Sequence, residues 1–139
     1  MKSTFQLDQS IAVVADDLYC DLHNCFEFVG FEYSPTEKKA RFEWQRGSGD
    51  WISAEAPKRL FLSFDGVANF TVLKRDDEMP FSEDSCVSSI TFLPPELGSH
   101  FDAICPGERF ENEHISIRFQ SGSAIKIWAA SVTHEIQSA

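Results

Sequence analysis

The sequence predicts a mainly β protein, an antiparallel meander that forms a sandwich or an open barrel. Apolar side chains recur at every second position over several short segments, turn residues separate those segments, and 13 of the 139 residues are phenylalanine. Period-two alternation places one face of a strand in the core and the other in water. With 42% hydrophobic residues, a chain of this length suits one domain, residues 1–139.

The first predicted element is a helix over residues 8–22. Asp8 or Ser10 is a suitable N-terminal cap. Apolar side chains recur at helical spacing at Ile11, Val14 and Leu18. We therefore expect one N-terminal helix before the β region.

Two aromatic strands follow, joined by the turn Ser34-Pro35-Thr36-Glu37. In the second strand, Ala40, Phe42 and Trp44 share one face. The first strand, Phe26 to Tyr33, changes phase along its length, which predicts a bulge near Gly30.

Further strands are predicted downstream. Asp65-Gly66 favours a tight hairpin turn between residues 59–64 and 67–73, and the alternative is one bulged strand through Gly66. The remaining strands are predicted over Val87 to Leu93, His114 to Phe119 and Ala124 to Val132, the last two forming a hairpin around Gln120 to Ser123. Two longer connections, 76–86 and 94–113, join these strands, and the second has room for a short helix within 94–105.

The charge balance narrows the choice of partner. The formal net charge is -10, from 22 acidic and 12 basic residues, and the basic residues cluster only in pairs such as Lys74-Arg75. A nucleic acid or an anionic membrane would be repelled, whereas a cationic protein surface would be attracted. The apolar run Ile11 to Ala15 is too short for a signal peptide or a membrane span, so we expect a cytoplasmic protein with four reduced cysteines.

The connection 76–86 is the strongest candidate site, because its carboxylates surround a few apolar side chains. Carboxylates would steer a cationic partner, and the apolar side chains would anchor it. The competing interpretation is a solvated turn whose phenylalanine packs into the core. A tryptophan beside the glycine-containing loop 47–50 is a further candidate anchor, although such a residue more often caps the core. The predicted partner-binding residues are Asp76, Asp77, Glu78, Met79, Phe81, Glu83, Asp84 and Trp51.

A metal site is the weaker alternative. Cys20, His23 and Cys25 offer three ligands within six residues, but their spacing departs from the C-x2-C pairs of zinc sites. The competing interpretation places both thiols in the core at the junction of helix and strand. We predict no bound metal and no cofactor.

The sequence contains none of the common catalytic motifs. The candidate thiol–imidazole pairs are Cys105 with His100 and Cys86 with His114. We predict that the chain is not an enzyme.

Several short motifs resemble a known group of proteins. Asp21-Leu22-His23-Asn24-Cys25, followed by an aromatic strand ending Phe31-Glu32-Tyr33-Ser34 and by Glu37-Lys38-Lys39, resembles the opening of small bacterial proteins, some of them immunity proteins of polymorphic toxin systems. Leu60 to Val67 resembles their next strand, and the hairpin around Ile115 to Trp128 resembles their last. Asn24 stands where those proteins usually carry an acid. The resemblance implies a compact, acidic, cytosolic β protein that binds another protein.

The leading hypothesis is therefore a non-enzymatic protein-binding module, immunity-like, that masks a basic surface on its partner. One alternative is a small-molecule or metal-binding domain with a pocket at one end of the sheet, lined by Trp51, His100 and Cys105. Another is a homo-oligomeric structural domain that pairs through an exposed strand edge.

Overall fold

A computed structural model describes residues 1–94 and 113–138. The described part is mainly β and mostly antiparallel, as predicted. The strands are β1 Lys2–Ser3, β2 Gln6–Asp8, β3 Ala12–Ala15, β4 Leu18–Asp21, β5 Phe26–Ser34, β6 Lys39–Arg46, β7 Arg59–Leu73, β8 Val87–Leu93, β9 His114–Phe119 and β10 Ala124–Gln137, with one short 3-10 helix, η1, at Phe81–Ser85. Apart from Pro94, the helix predicted within 94–105 lies outside the described residues.

The strands form two sheets. The larger has seven strands in the order β5-β6-β7-β10-β9-β8, with β1 added parallel to β10. The smaller is the meander β2-β3-β4. The two long strands β7 and β10 pair along most of their length, and they carry β5-β6 on one side and β8-β9 on the other. None of the described helical residues forms a segment long and apolar enough to cross a lipid bilayer.

The predicted N-terminal helix is wrong, because residues 8–22 form strands β3 and β4 and the end of β2. Asp16 and Asp17 adopt φ angles of 53° and 60° and join Ala15 to Leu18 by a two-residue turn. Two consecutive positive φ angles define the tight hairpin turn that suits twisted strands and cannot occur within a helix. The fully buried residues of this segment are Ala12, Val13, Cys20 and Leu22. The apolar positions that suggested a helix, Ile11, Val14 and Leu18, are only half-buried.

Replacing Asp17 with glycine tests this turn. Glycine adopts a positive φ without steric cost, so we expect Asp17→Gly to raise the free energy of unfolding by about 0.5–1 kcal/mol. The matched control is Asp50→Gly, at an exposed loop residue, which should lower it by a similar amount because glycine adds freedom to the unfolded chain. Urea unfolding of the two variants measures both changes. A loss of stability in Asp17→Gly would contradict the turn.

The Asp65-Gly66 hairpin is also wrong, and the alternative of one bulged strand is what the structure contains. Strand β7 continues through Gly66 because β10 pairs with both of its halves, from Arg59 to Leu73. Gly66 has a φ of 67°, whereas Asp65 has a negative φ, so the pair lacks the two positive φ angles of a tight hairpin turn. The register between β7 and β10 shifts between Trp128 and Ala129, which marks the bulge.

The core lies on the face of the larger sheet where Phe42, Trp44 and Phe64 are fully buried. The predicted bulge in β5 is confirmed, since the register with β6 shifts between Phe28 and Gly30. The bulge turns Phe28 and the aromatic residues after it to the same face. The rings of Phe28 in β5 and Phe119 in β9 lie 5.0 Å apart, so the sheet folds over a shared aromatic core.

Candidate functional site

The acidic loop, residues 76–84, lies at the surface and is ordered by its own hydrogen bonds. The amide of Met79 donates to the carbonyl oxygen of Asp76 at 3.1 Å, which closes a turn. A carboxylate oxygen of Asp76 accepts the amide of Glu78 at 3.0 Å. Residues Asp76, Asp77 and Glu78 are exposed, and Glu83 and Asp84 are half-buried. The carboxylate-rich stretch therefore faces solvent, as the prediction requires.

Arg75, which the sequence did not single out, ties the two ends of this loop together. Its Nε donates to Asp84 Oδ1 at 2.9 Å, and its Nη2 donates to the carbonyl oxygen of Met79 at 2.8 Å. Its guanidinium carbon also lies 4.5 Å from the ring centre of Phe81, a cation–π contact. The hydrogen bond from Arg75, with a smaller one from Ser121, holds the pKa of the Asp84 carboxyl below its ordinary value.

The two predicted aromatic anchors, Phe81 and Trp51, are exposed. The residue Phe81 is 80% exposed, so the interpretation that packs it into the core is wrong. Trp51 is 74% exposed and does not cap the core. Its indole N–H donates to the carbonyl oxygen of Asn24 at 2.8 Å, and its ring lies so close over Gly49 that a Cβ there would be 2.4 Å away. Both rings are thus held in place while facing solvent.

One turn, residues 21–25, contacts both Trp51 and the start of the strand that follows η1. Asn24 in this turn accepts the hydrogen bond of Trp51. Its neighbour His23 bonds through Nδ1 to the carbonyl oxygen of Val87 at 2.6 Å, close behind η1. The side chain of Asp21 accepts the amides of His23 and Asn24 and so fixes the turn itself.

The charge of the acidic loop is only partly neutralised. Lys74 pairs with Asp77 at 2.9 Å and Arg75 with Asp84 at 2.9 Å. Two cations against five carboxylates leave three carboxylates in excess over residues 74–84. The Lys74 pair is exposed on both sides, so it contributes at most about 1 kcal/mol to stability and leaves the negative field largely intact.

Among the described residues, burial disfavours the thiolate form of the candidate cysteines. Burial raises the pKa of the Cys20 thiol to about 11. Burial and the charge of Glu83 raise the pKa of Cys86, which lies 3.9 Å from His23 Nδ1. That nitrogen donates to the Val87 carbonyl, so it cannot take up a proton from the thiol. Within residues 1–94 and 113–138, no three His, Cys, Asp or Glu side chains converge to hold a metal ion, so Cys20, His23 and Cys25 are not assembled as ligands.

Of the two thiol–imidazole pairs predicted from the sequence, one is separated in the structure and the other lies outside the described residues. Cys86 immediately precedes Val87, which pairs with Phe119, whereas His114 pairs with Leu93 at the other end of the β8-β9 ladder. The six residue steps from Val87 to Leu93 span about 20 Å. His100 and Cys105 lie outside the described residues, and so does most of the predicted pocket that includes them.

Sequence reasoning missed a line of three polar side chains, Thr4, His134 and Asp16. His134 Nδ1 lies 2.6 Å from the hydroxyl of Thr4, and its Nε2 lies 2.8 Å from Asp16 Oδ2. The Thr4 hydroxyl also accepts the amide of His134 at 3.0 Å. We interpret the line as a tether, because these bonds join the chain after β1 and the β3-β4 turn to β10. Nothing in the spacing of these residues along the sequence signals the contact.

Searches of protein-family models, of curated proteins and of solved structures find no match to this chain.

Proposed function

We propose that this chain is a non-enzymatic protein-binding module that masks a basic surface of its partner, in the manner of an immunity protein in the bacterial cytoplasm. The observation that carries the proposal is the pair Phe81 and Trp51, two large aromatic side chains exposed to solvent and fixed in place. An exposed aromatic ring is unfavourable in water, and a fixed one loses little conformational freedom when a partner covers it.

The carboxylates of the acidic loop, which contains Phe81, would set the choice of partner. Opposite charges raise the rate at which two proteins meet, and like charges exclude nucleic acids and anionic membranes. Aromatic anchors surrounded by a polar rim are typical of protein–protein interfaces. The excess of carboxylates in the acidic loop therefore favours a partner whose own contact surface is rich in lysine and arginine.

Charge reversal in the acidic loop tests the proposal. The double variant Asp77→Lys with Glu78→Lys keeps Asp76, which caps the turn, and should fold normally. As the candidate partner we take a basic protein encoded next to this chain's gene, the arrangement expected of a toxin and its immunity protein. We expect the variant to lower the rate of association with that partner by about tenfold or more at low salt. Stopped-flow fluorescence at several salt concentrations measures that rate.

The matched control is Glu37→Lys with Glu55→Lys, two exposed residues outside the acidic loop, which gives the same net charge. This variant should associate with the partner at close to the rate of the unmodified protein. Equal rates for the two double variants would count against a role for the acidic loop.

A further inference from the structure

The strand β5 forms one end of the seven-stranded sheet and offers a free edge. Over its nine residues it pairs with β6 alone in the described part of the chain. Three of its side chains are large, apolar and exposed, namely Val29 at 51%, Phe31 at 42% and Tyr33 at 38%. A long edge with exposed apolar side chains is a template for a further strand.

The outer face of β5 contains a notch at Gly30. Gly30 lies opposite Glu43 of β6, and a Cβ built on it would have nothing within 4 Å. Gly30 lines a groove of about 240 Å³, whose other walls include Val29, Glu32, Arg41 and Phe61. A glycine inside a strand often marks a place where another backbone or ligand approaches closely.

The charge along this edge favours a cationic occupant. Glu27 and Glu32 are exposed and share the outer face with the notch, since their partners on β6 are Gln45 and Arg41. The arginine is itself occupied, because it pairs with Glu135 at 3.2 Å and stacks on Phe61 at 4.0 Å. The carboxylates of β5 therefore remain available to a partner.

A second copy of the chain is a poor occupant of the same edge. Each chain carries a net charge of -10, and two β5 strands side by side would bring Glu27 and Glu32 of both chains together. Charge complementarity thus selects a different, basic chain.

The acidic loop lies near β5, because η1, which contains Glu83 and Asp84, packs against that strand. A segment that pairs with β5 would reach the carboxylates of the loop at one end and the notch at Gly30 further along. One extended partner segment could then contact both surfaces.

We propose that the β5 edge binds an extended lysine- or arginine-rich segment of the partner by strand addition, with one cationic side chain entering the notch beside Glu32, since Glu43 already pairs with Arg59 at 3.2 Å. The inference rests on the proposed function, since it supplies the mode by which the basic partner is held. The competing explanation is that the bulge and the glutamates only protect the edge from aggregation. That explanation predicts that no strand is added.

A peptide titration distinguishes strand addition from an edge that is only protected against aggregation. The probe is a peptide of about ten residues that alternates lysine and valine, added to ¹⁵N-labelled full-length protein and followed by NMR. We expect amide shifts along residues 26–34 and cross-strand contacts between the peptide and β5. The variant Glu27→Lys with Glu32→Lys should weaken binding about tenfold or more, and Glu37→Lys with Glu55→Lys should not.

A second peptide tests the backbone contacts. Methylation of alternate amide nitrogens keeps the charge but removes the hydrogen bonds of a strand, so this peptide should bind at least about tenfold more weakly. Equal affinity of the two peptides, or shifts that spread over the acidic surface without β5, would overturn the inference. The proposed function fails separately, if the Asp77 and Glu78 reversals leave partner association unchanged while the peptide still binds β5.

Discussion

Replacing Phe42 with alanine is expected to lower the free energy of unfolding by about 3–5 kcal/mol. The side chain is fully buried, and alanine would leave a cavity that the surrounding sheet cannot close. Its ring lies 5.3–6.3 Å from five other aromatic rings, those of Phe28, Phe31, Trp44, Phe64 and Phe70. A loss of this size is a large share of the total stability of an ordinary domain, about 5–15 kcal/mol.

Urea unfolding of Phe42→Ala and Phe81→Ala measures the contrast between a core ring and a surface ring. Phe81 is 80% exposed, so its replacement should change the free energy of unfolding by no more than about 0.5 kcal/mol. Similar losses in the two variants would contradict the assignment of core and surface.

For partner binding we expect the exposed rings, which add little to stability, to have the larger effect. Replacing both Trp51 and Phe81 with alanine should weaken the complex with the partner by about thirtyfold or more, because a central aromatic anchor commonly contributes at least about 2 kcal/mol. The cost in stability should be small, about 1 kcal/mol, arising mainly from the lost hydrogen bond between Trp51 and Asn24. Isothermal titration calorimetry gives the affinity, and urea unfolding gives the stability.

The control for this variant is Tyr19→Ala. Tyr19 is 48% exposed and lies on β4 in the smaller sheet, whereas the acidic loop connects β7 and β8 of the larger sheet. Its loss should leave the affinity nearly unchanged. An equal weakening in Tyr19→Ala would indicate that general surface hydrophobicity, and not the two anchors, holds the partner.

The β region could be predicted from the sequence where side-chain alternation is clear. Phe42 and Trp44 alternate with polar residues, and the phase change near Gly30 located a real bulge. Local patterns of this kind depend only on which face of a strand is buried, so they can be recognised without tertiary information.

The errors arose where the same local pattern fits two structures. The apolar residues between Ile11 and Leu18 fit a helix face as well as two short strands, and Asp16-Asp17 lacks the glycine that usually signals a tight turn. Asp65-Gly66 fits a turn or a bulge, and only the long partner strand β10 selects the bulge. In both cases tertiary pairing overrides local preference.

The composition of the candidate site was predictable, but its assembly was not. An acidic run with embedded apolar residues is visible in the sequence. The role of Arg75 and the placement of Trp51 beside Asn24 depend on contacts between distant segments. Such contacts leave no trace in residue spacing.

The salt dependence of partner association tests the central claim most directly. If the acidic loop steers a basic partner towards fixed aromatic anchors, the association rate should fall at least about tenfold as NaCl rises from about 0.05 M to about 0.5 M, while the dissociation rate changes much less. An association rate that stays constant over this range would contradict the account.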